Sequence, residues 1–389
     1  MPRTDPVSPA RRVAFEVLTR VEGGGHSGDE LRARGEGLSS RDAGLATELV
    51  MGVLRFQGQL DYLIEHFSGR PAEALDMQVR LILRLGLYQI RYLDRIPPHA
   101  AIHQSVEIAK QSHKRSAAGL VNAVLRKVHL RPVDWPDLSV AFSHPEWLLE
   151  RWEDQYGSET MAGIVEANMA PPHTFIRVPP GRTPPEGADV TPVKGCWLVD
   201  SAQEAGGFRV QDIGSQSVVP LLDLQPGQRF LDLCAAPGNK TAQALEAGVR
   251  AVAADQHRVR LMQLTDLGVP LVRLDARRPL PFGRVFDRIL VDAPCTGTGT
   301  LSRNPEIKWR LRPEDLPELQ ARQAAILKHA LDALAPGGRL VYATCSLEPE
   351  ENDQVVALYK DRIVRILRRI PGRDLGDGFF AAAIQGTTC

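Results

Sequence analysis

Phe230-Leu231-Asp232-Leu233-Cys234-Ala235-Ala236-Pro237-Gly238-Asn239-Lys240-Thr241 is the stretch on which the fold turns. It reads as a strand, a tight loop and the start of a helix. The small residues Ala235, Ala236 and Gly238 let the backbone approach a ligand closely. The helix start offers free N–H groups. Neither the G-x-x-x-x-G-K-[ST] phosphate loop nor the G-x-G-x-x-G dinucleotide fingerprint is present. That disfavours a nicotinamide or nucleoside-triphosphate enzyme.

Downstream, strands alternate with helices. Strands are expected at Arg229–Cys234, Ala251–Asp255, Leu271–Asp275, Phe286–Ala293 and Arg339–Thr344, with a last one at Phe379–Ile384. Helices are expected at Lys240–Glu246, His257–Leu267, Pro317–Leu334 and Glu350–Ile366. This pattern predicts an α/β fold, a doubly wound sheet with helices on both faces. Upstream the texture differs. From Arg11 to Val128 apolar residues recur with the helical period, as in Leu60, Leu63, Ile64 and Phe67 or Val79, Ile82, Leu83 and Leu87. Residues 1–131 are therefore expected to form an all-α domain of five to seven helices. Residues 132–212 read as a connector or small subdomain, with a helix at Pro145–Tyr156, an irregular proline-rich stretch from Pro171 to Pro192 and short strands between Gly195 and Val210. Residues 213–389 are expected to form the α/β domain.

The chain has 389 residues, with 47 Lys+Arg against 47 Asp+Glu. Residues 1–131 carry 19 basic and 14 acidic side chains, a net of +5, so the remainder carries −5. A basic front half is compatible with nucleic acid. No apolar run approaches the ~18 residues of a membrane span, and no signal pattern opens the chain. A cytoplasmic protein, with no membrane attachment, is expected. The five cysteines form no CxxC pair, so neither a zinc site nor a disulfide framework is expected. His99 and His103 lie four apart but lack a third metal ligand. Cys196 reads as buried, and Cys389 as a terminal thiol without a role.

Three acids close successive strands: Asp255, Asp275 and Asp292. One such acid is usually a helix cap. Three on the same sheet edge suit a ligand with a ribose, an adenine amine and a positive centre, as in S-adenosylmethionine. Two thiols end strands at the same edge, Cys295 in Asp292-Ala293-Pro294-Cys295-Thr296-Gly297 and Cys345 in Tyr342-Ala343-Thr344-Cys345-Ser346. Cytosine is a poor nucleophile at carbon 5. A thiolate that adds to carbon 6 makes the ring an enamine-like nucleophile, able to take a methyl group. A second ionisable group helps to break the adduct afterwards, and a carboxyl such as Asp292 near ring nitrogen 3 favours the addition. Chemistry alone does not rank the two thiols.

Leu231–Thr241, Asp292–Gly299 and Tyr342–Ser346 resemble three signatures of the Sun/Nop family of RNA (cytosine-5)-methyltransferases. Asp42 to Arg55, Leu83–Gly86, Ile96–Ala100 and Gly119–Arg126 resemble the NusB-like RNA-binding domain of its bacterial members that act on 16S rRNA. The resemblance covers nearly the whole chain. It implies a class I S-adenosylmethionine methyltransferase sheet preceded by an all-α NusB-like domain. It implies Cys345 as nucleophile and Cys295 as the thiol that assists release. It implies Cys234, Ala235, Ala236, Pro237, Gly238, Asn239 and Lys240 around the cofactor S-adenosylmethionine, with Asp255, Asp275 and Asp292 as further contacts. The expected partner is RNA, small-subunit rRNA above all, with the protein a monomer. The same chemistry on tRNA or another RNA, and a non-catalytic NusB-like factor, are the alternatives. Two positions depart from the family. Asn239 stands where Gly is usual, and Asn tolerates left-handed geometry. Pro179 in Arg177-Val178-Pro179 stands where Asn is usual and removes a backbone donor.

Arg303, Lys308, Trp309, Arg310 and Arg312 interleave basic groups with one aromatic, a pattern suited to phosphate contact and base stacking. The target base must be flipped or single-stranded to reach a buried thiol.

Overall fold

The computed structural model describes residues 7–128 and 133–387. Cys389 lies outside them. The chain divides into two units: Met1–Ala170 with Leu301–Arg310, and Pro171–Thr300 with Leu311–Cys389. The division falls inside the stretch 132–212 read as a connector.

In the first unit the helical periodicity becomes seven helices of nine residues or more up to residue 128: Pro9–Glu22, Ser27–Gly35, Ser40–Arg55, Gln57–Ser68, Met77–Tyr92, Pro98–Gln111 and Ala118–Lys127. Their starts follow side-chain chemistry. Ser39 accepts from the Asp42 N–H, Asp76 from those of Gln78 and Val79, and Pro98 occupies a first-turn position where no N–H is needed. Leu18, Leu49, Leu60, Leu63, Ile82 and Leu87 meet in one core. Gly52 permits the closest approach, since a Cβ there would lie 1.9 Å from Tyr88. Buried Arg84 is neutralised by Asp61 at 2.7 Å and Glu22 at 2.9 Å. Helices Glu146–Tyr156, as expected, and Ser158–Met169 complete the run.

The second unit opens with a four-stranded antiparallel sheet: β1 (Thr174–Arg177), β2 (Asp189–Val190), β3 (Cys196–Val199) and β4 (Arg209–Val210), in the order β2-β3-β1-β4. The stretch expected to be irregular thus contains β1 and β2. Val178 still donates to Gly195 at 2.8 Å, so Pro179 ends the pairing one residue later. Cys196 is buried, and burial pushes its thiol up to about 11.

The main sheet holds β5 (Arg229–Leu233), β6 (Arg250–Asp255), β7 (Leu271–Arg273), β8 (Phe286–Asp292), β9 (Leu334–Thr344), β10 (Ile363–Arg369) and β11 (Phe379–Gln385), in the order β10-β11-β9-β8-β5-β6-β7. β5 to β9 run parallel, while β11 and β10 are antiparallel to their neighbours. The doubly wound sheet is therefore mixed at one edge. Residues 350–366, expected to be a helix, are not one. Only Asp353–Val356 is α-helical, a 3-10 stretch follows, and Ile363–Arg369 pairs with β11. Spacing alone suits a helix there, but the buried Phe-Phe-Ala-Ala-Ala-Ile run of β11 needs a partner on its free side, and β-branched Ile363 and Val364 accept an edge strand.

Candidate active site

The strand order reverses between β5 and β8, so the crevice beyond their carboxyl ends is the topological switch point. Three loops meet that edge: the one after β5, the one after β8 carrying Cys295, and the one after β9 carrying Cys345.

After β5 the chain turns through Cys234, at φ +62°, and Gly238, at φ +101°. Gly238 has no alternative, since a Cβ there would lie 2.7 Å from Leu264. Asn239 opens the helix Asn239–Leu245 without a left-handed φ, so the turn does not call on Asn tolerance; its Nδ2 donates to the Val210 carbonyl at 3.3 Å. Beneath the loop, Asp232 is buried. It accepts from the Thr241 hydroxyl at 2.5 Å, and its other oxygen has no partner. Burial, then the nearby acids Asp255, Asp292 and Asp232, push the Cys234 thiol up.

Asp255 is buried and accepts from Ala236 N–H at 3.3 Å and His257 N–H at 2.8 Å. It therefore spans the ends of β5 and β6. Asp275 is forked by Arg277, whose hydrogen bond leads in holding the carboxyl down to about 2. Asp292 accepts from Lys240 Nζ at 2.7 Å. Burial would lower the Lys240 ammonium, but the charge and hydrogen bond of Asp292, then Cys345 and Asp232, hold it above its ordinary value.

The two sulfurs lie 3.4 Å apart. The hydrogen bond to Cys345 is the leading cause, ahead of burial and the charges of Cys345 and Glu351, that drives the Cys295 thiol well upward. The protonated form of Cys295 is thereby favoured, with its sulfur in hydrogen-bond contact with that of Cys345. Around the pair runs a polar cluster of half-buried Thr296 and buried Ser346, Glu351, Asn352 and Gln323. Sequence reading missed this cluster. Glu350 and Glu351 look like the acids of a helix start, and no local signature marks an acid for burial.

The expected RNA contacts need correction. Lys308 is buried and donates to the Arg55 carbonyl at 2.9 Å, and Trp309 Nε1 donates to that of Leu54 at 2.8 Å. Arg310 Nη2 reaches the Gly25 carbonyl at 2.6 Å. These three side chains cap helix ends and loops of the first unit. A buried ammonium cannot serve a phosphate, and basic residues interleaved with an aromatic carry no mark that separates the two uses. Arg303 also has an interaction partner within the structure. His99 and His103 lie on one exposed helix turn. Among the described residues no cluster of three or more metal-ligating side chains occurs, and no helix is long and apolar enough to cross a membrane.

A switch-point crevice, a small-residue loop running into a helix N-terminus and acids at the ends of β6 and β8, with Asp275 two residues beyond β7, fit a nucleoside with a cationic centre, and they define an S-adenosylmethionine-dependent methyltransferase of class I. Comparison with known proteins narrows this. Residues 219–363 match the model of the 16S rRNA methyltransferase RsmB/F family, residues 8–130 the NusB family and residues 144–187 the ferredoxin-like domain of RsmF/B-like methyltransferases. The sequence is 36% identical to ribosomal RNA small subunit methyltransferase B of Klebsiella pneumoniae, over 96% of this chain and 97% of that one. The crystal structure of PH0851 shares the fold at a TM-score of 0.80, with 23% identity over 98% of this chain and 99% of that one. A methyltransferase homologue from Pyrococcus horikoshii matches 64% of this chain and 97% of its own, at a TM-score of 0.54 and 26% identity. The chain belongs to the RsmB/F family of RNA methyltransferases and uses S-adenosylmethionine.

Proposed function

We propose that this protein methylates carbon 5 of a cytosine in 16S rRNA through a transient bond between Cys345 and carbon 6. The observation that carries the reading is the 3.4 Å contact of two thiols at the sheet edge that also holds the Lys240–Asp292 pair. The substrate follows the relatives, which are named for the small-subunit RNA, and such a substrate places the protein in the cytoplasm.

Bound S-adenosylmethionine supplies an electrophilic methyl group. Residues 234–240, Asp255 and Asp275 would hold it. Asp255 offers a buried carboxylate to a ribose, and the small residues 235, 236 and 238 leave room for it. Cys345 adds to carbon 6 as the thiolate, its proton lost to solvent, and the carbon 5–carbon 6 π pair moves onto carbon 5, conjugated with nitrogen 3, so that carbon 5 can take the methyl group. Nitrogen 3 has a lone pair and no hydrogen, so Asp292 serves it as the protonated acid, its proton drawn from Lys240 Nζ at 2.7 Å, and donates a hydrogen bond that steadies that density. Once carbon 5 is methylated, its proton leaves to solvent. The electron pair left behind restores the ring double bond, and the carbon 6–sulfur bond breaks with its pair going to sulfur. Cys295, which keeps its proton, hydrogen-bonds the departing Cys345 thiolate and makes it a better leaving group. The helical first unit would supply placement on the RNA, and the target base must be flipped or single-stranded to reach the thiols.

RNA bearing 5-fluorocytosine tests the chemistry, because fluorine blocks the final elimination. Wild type should become covalently attached in the presence of cofactor, and Cys345→Ala should not. Cys295→Ala should attach and, with ordinary cytosine, release the RNA slowly. Attachment lost in Cys295→Ala and kept in Cys345→Ala would reverse the roles. Bisulfite sequencing of rRNA from a deletion strain tests the substrate; an unchanged 16S methylation map would exclude it.

A further inference from the structure

Each reactive cysteine is gripped on both sides by one buried cluster. Its centre is Glu351, a carboxylate with 0% exposure. One oxygen accepts from the Thr296 backbone N–H at 2.9 Å and from Gln323 Nε2 at 2.8 Å. The other accepts from the hydroxyls of Thr296, at 2.5 Å, and Ser346. Thr296 follows Cys295, and Ser346 follows Cys345. Gln323 also donates to the carbonyl of Pro294, at 3.0 Å, on the other side of Cys295. Asn352 donates to the Ser346 carbonyl at 2.9 Å and accepts from Thr344, on the other side of Cys345. The Glu351 carbonyl accepts from the Tyr342 hydroxyl at 2.7 Å, which anchors the cluster to β9.

Four donors converge on two oxygens. An ionised carboxylate is acceptor-only and has four lone-pair sites, so it satisfies them all as they stand; an amide does so only once the two hydroxyls turn to accept, and an alanine not at all. Glu351 has no ion pair among the described residues, so these four hydrogen bonds are what hold its carboxyl group. Burying a charge this way is costly, and an apolar filler would pack the space at less expense. What the carboxylate adds is a rigid tie between two loops 50 residues apart in the chain.

We infer that Glu351 is the positioning residue of the thiol pair, holding the Cys295 and Cys345 loops so that their sulfurs stay in contact while itself touching neither base nor methyl donor. The inference rests on the covalent mechanism proposed above for its functional meaning, but the geometry it asserts can be read without RNA. Its charge also contributes to keeping the Cys295 proton in place.

Full-length wild type, Glu351→Ala and Glu351→Gln should be equilibrated in glutathione redox buffers, and the Cys295–Cys345 disulfide quantified by alkylation and mass spectrometry. In that reaction the two thiols are oxidised to one S–S bond, and one glutathione disulfide is reduced to two glutathiones. Wild type should close the bond. Glu351→Ala should lower the closure constant at least tenfold, and Glu351→Gln less than threefold, since its remaining oxygen still serves the two N–H donors while the hydroxyls rotate to accept from the amide. Cofactor affinity by calorimetry should stay within twofold, and kcat for methyl transfer should fall while KM for RNA holds. A closure constant in Glu351→Ala within twofold of wild type overturns the inference, as does a wild type that never closes the bond. Should Glu351→Ala fail to fold, Thr296→Val removes one of the ties and must lower closure at least threefold; an unchanged value overturns the inference equally. Failure of wild type to trap 5-fluorocytosine RNA would instead sink the covalent mechanism and leave the thiol geometry standing.

Discussion

Asp232 sits under the cofactor loop with one carboxyl oxygen bonded to Thr241 and the other bare. Burial is the main reason that its pKa is pushed up to about 7; Asp292 and Asp255 add to the rise, while the Thr241 hydrogen bond and Lys240 oppose it. The folded protein therefore keeps a proton that an unfolded chain, with a carboxyl near 3.8, has already lost. Between those two values this group's contribution to stability falls as pH rises, by up to about 1.4 kcal/mol per pH unit. Asp232→Asn keeps the acceptor for Thr241 and removes the titration. Urea unfolding at pH 5 and pH 8 should show the variant gaining on wild type at the higher pH, by on the order of a few kcal/mol. Equal pH dependence in the two proteins would mean that Asp232 is ionised without penalty.

Among the elements, the loop after β8 and the strand end of β9 are bound through Gly299. Its N–H donates to the Cys345 carbonyl at 2.9 Å, and its own carbonyl accepts from Gly378 at 2.7 Å. A Cβ at this position would lie 2.5 Å from the Gly378 oxygen and 2.8 Å from that of Cys345, both backbone atoms that cannot swing away. Gly299→Ala should therefore cost about 1–3 kcal/mol of stability through overpacking. Single-turnover methyl transfer should suffer more, by roughly 10²-fold, because ångström-scale displacement of reacting groups is that expensive. A thermal melt and a single-turnover assay compare the two effects; a rate loss no larger than the stability loss explains would refute the link between loop spacing and chemistry.

At the scale of the whole molecule, residues 301–310 leave the sequence of the second unit and pack within the first. Glu306 accepts from the Ser27 N–H at 3.0 Å and its hydroxyl at 2.9 Å, and Arg55 donates to the Ser302 carbonyl at 3.0 Å. Leu301, Glu306 and Lys308 are buried there. A fragment of residues 7–170 lacks these partners. A synthetic peptide of residues 299–312 should bind the fragment and raise its urea midpoint, by about 2.7 kcal/mol of stability at a hundredfold excess over Kd. Glu306→Ala in the peptide should abolish the effect. A midpoint indifferent to the peptide would show that the segment is not part of the helical unit's fold.

Strand after strand of the main sheet was legible from Phe230 onward, because alternation and turn residues are local properties, and so were the helices between Arg11 and Val128. That Cys295, Cys345, the loop at residues 234–240, Asp255 and Asp292 lie at one edge of the sheet was legible too, since each ends or follows a strand; Asp275 falls two residues beyond β7. Tertiary structure alone decided the rest. Residues 363–369 became a strand because β11 required a partner. Lys308, Trp309 and Arg310 turned inward because carbonyls at distant helix ends awaited donors. Glu351 came to lie between two cysteine loops because four donors from three separate segments converge on one point. Spacing along a chain encodes which face a residue takes within its own element; it does not encode which distant polar groups will need that residue once water has been excluded.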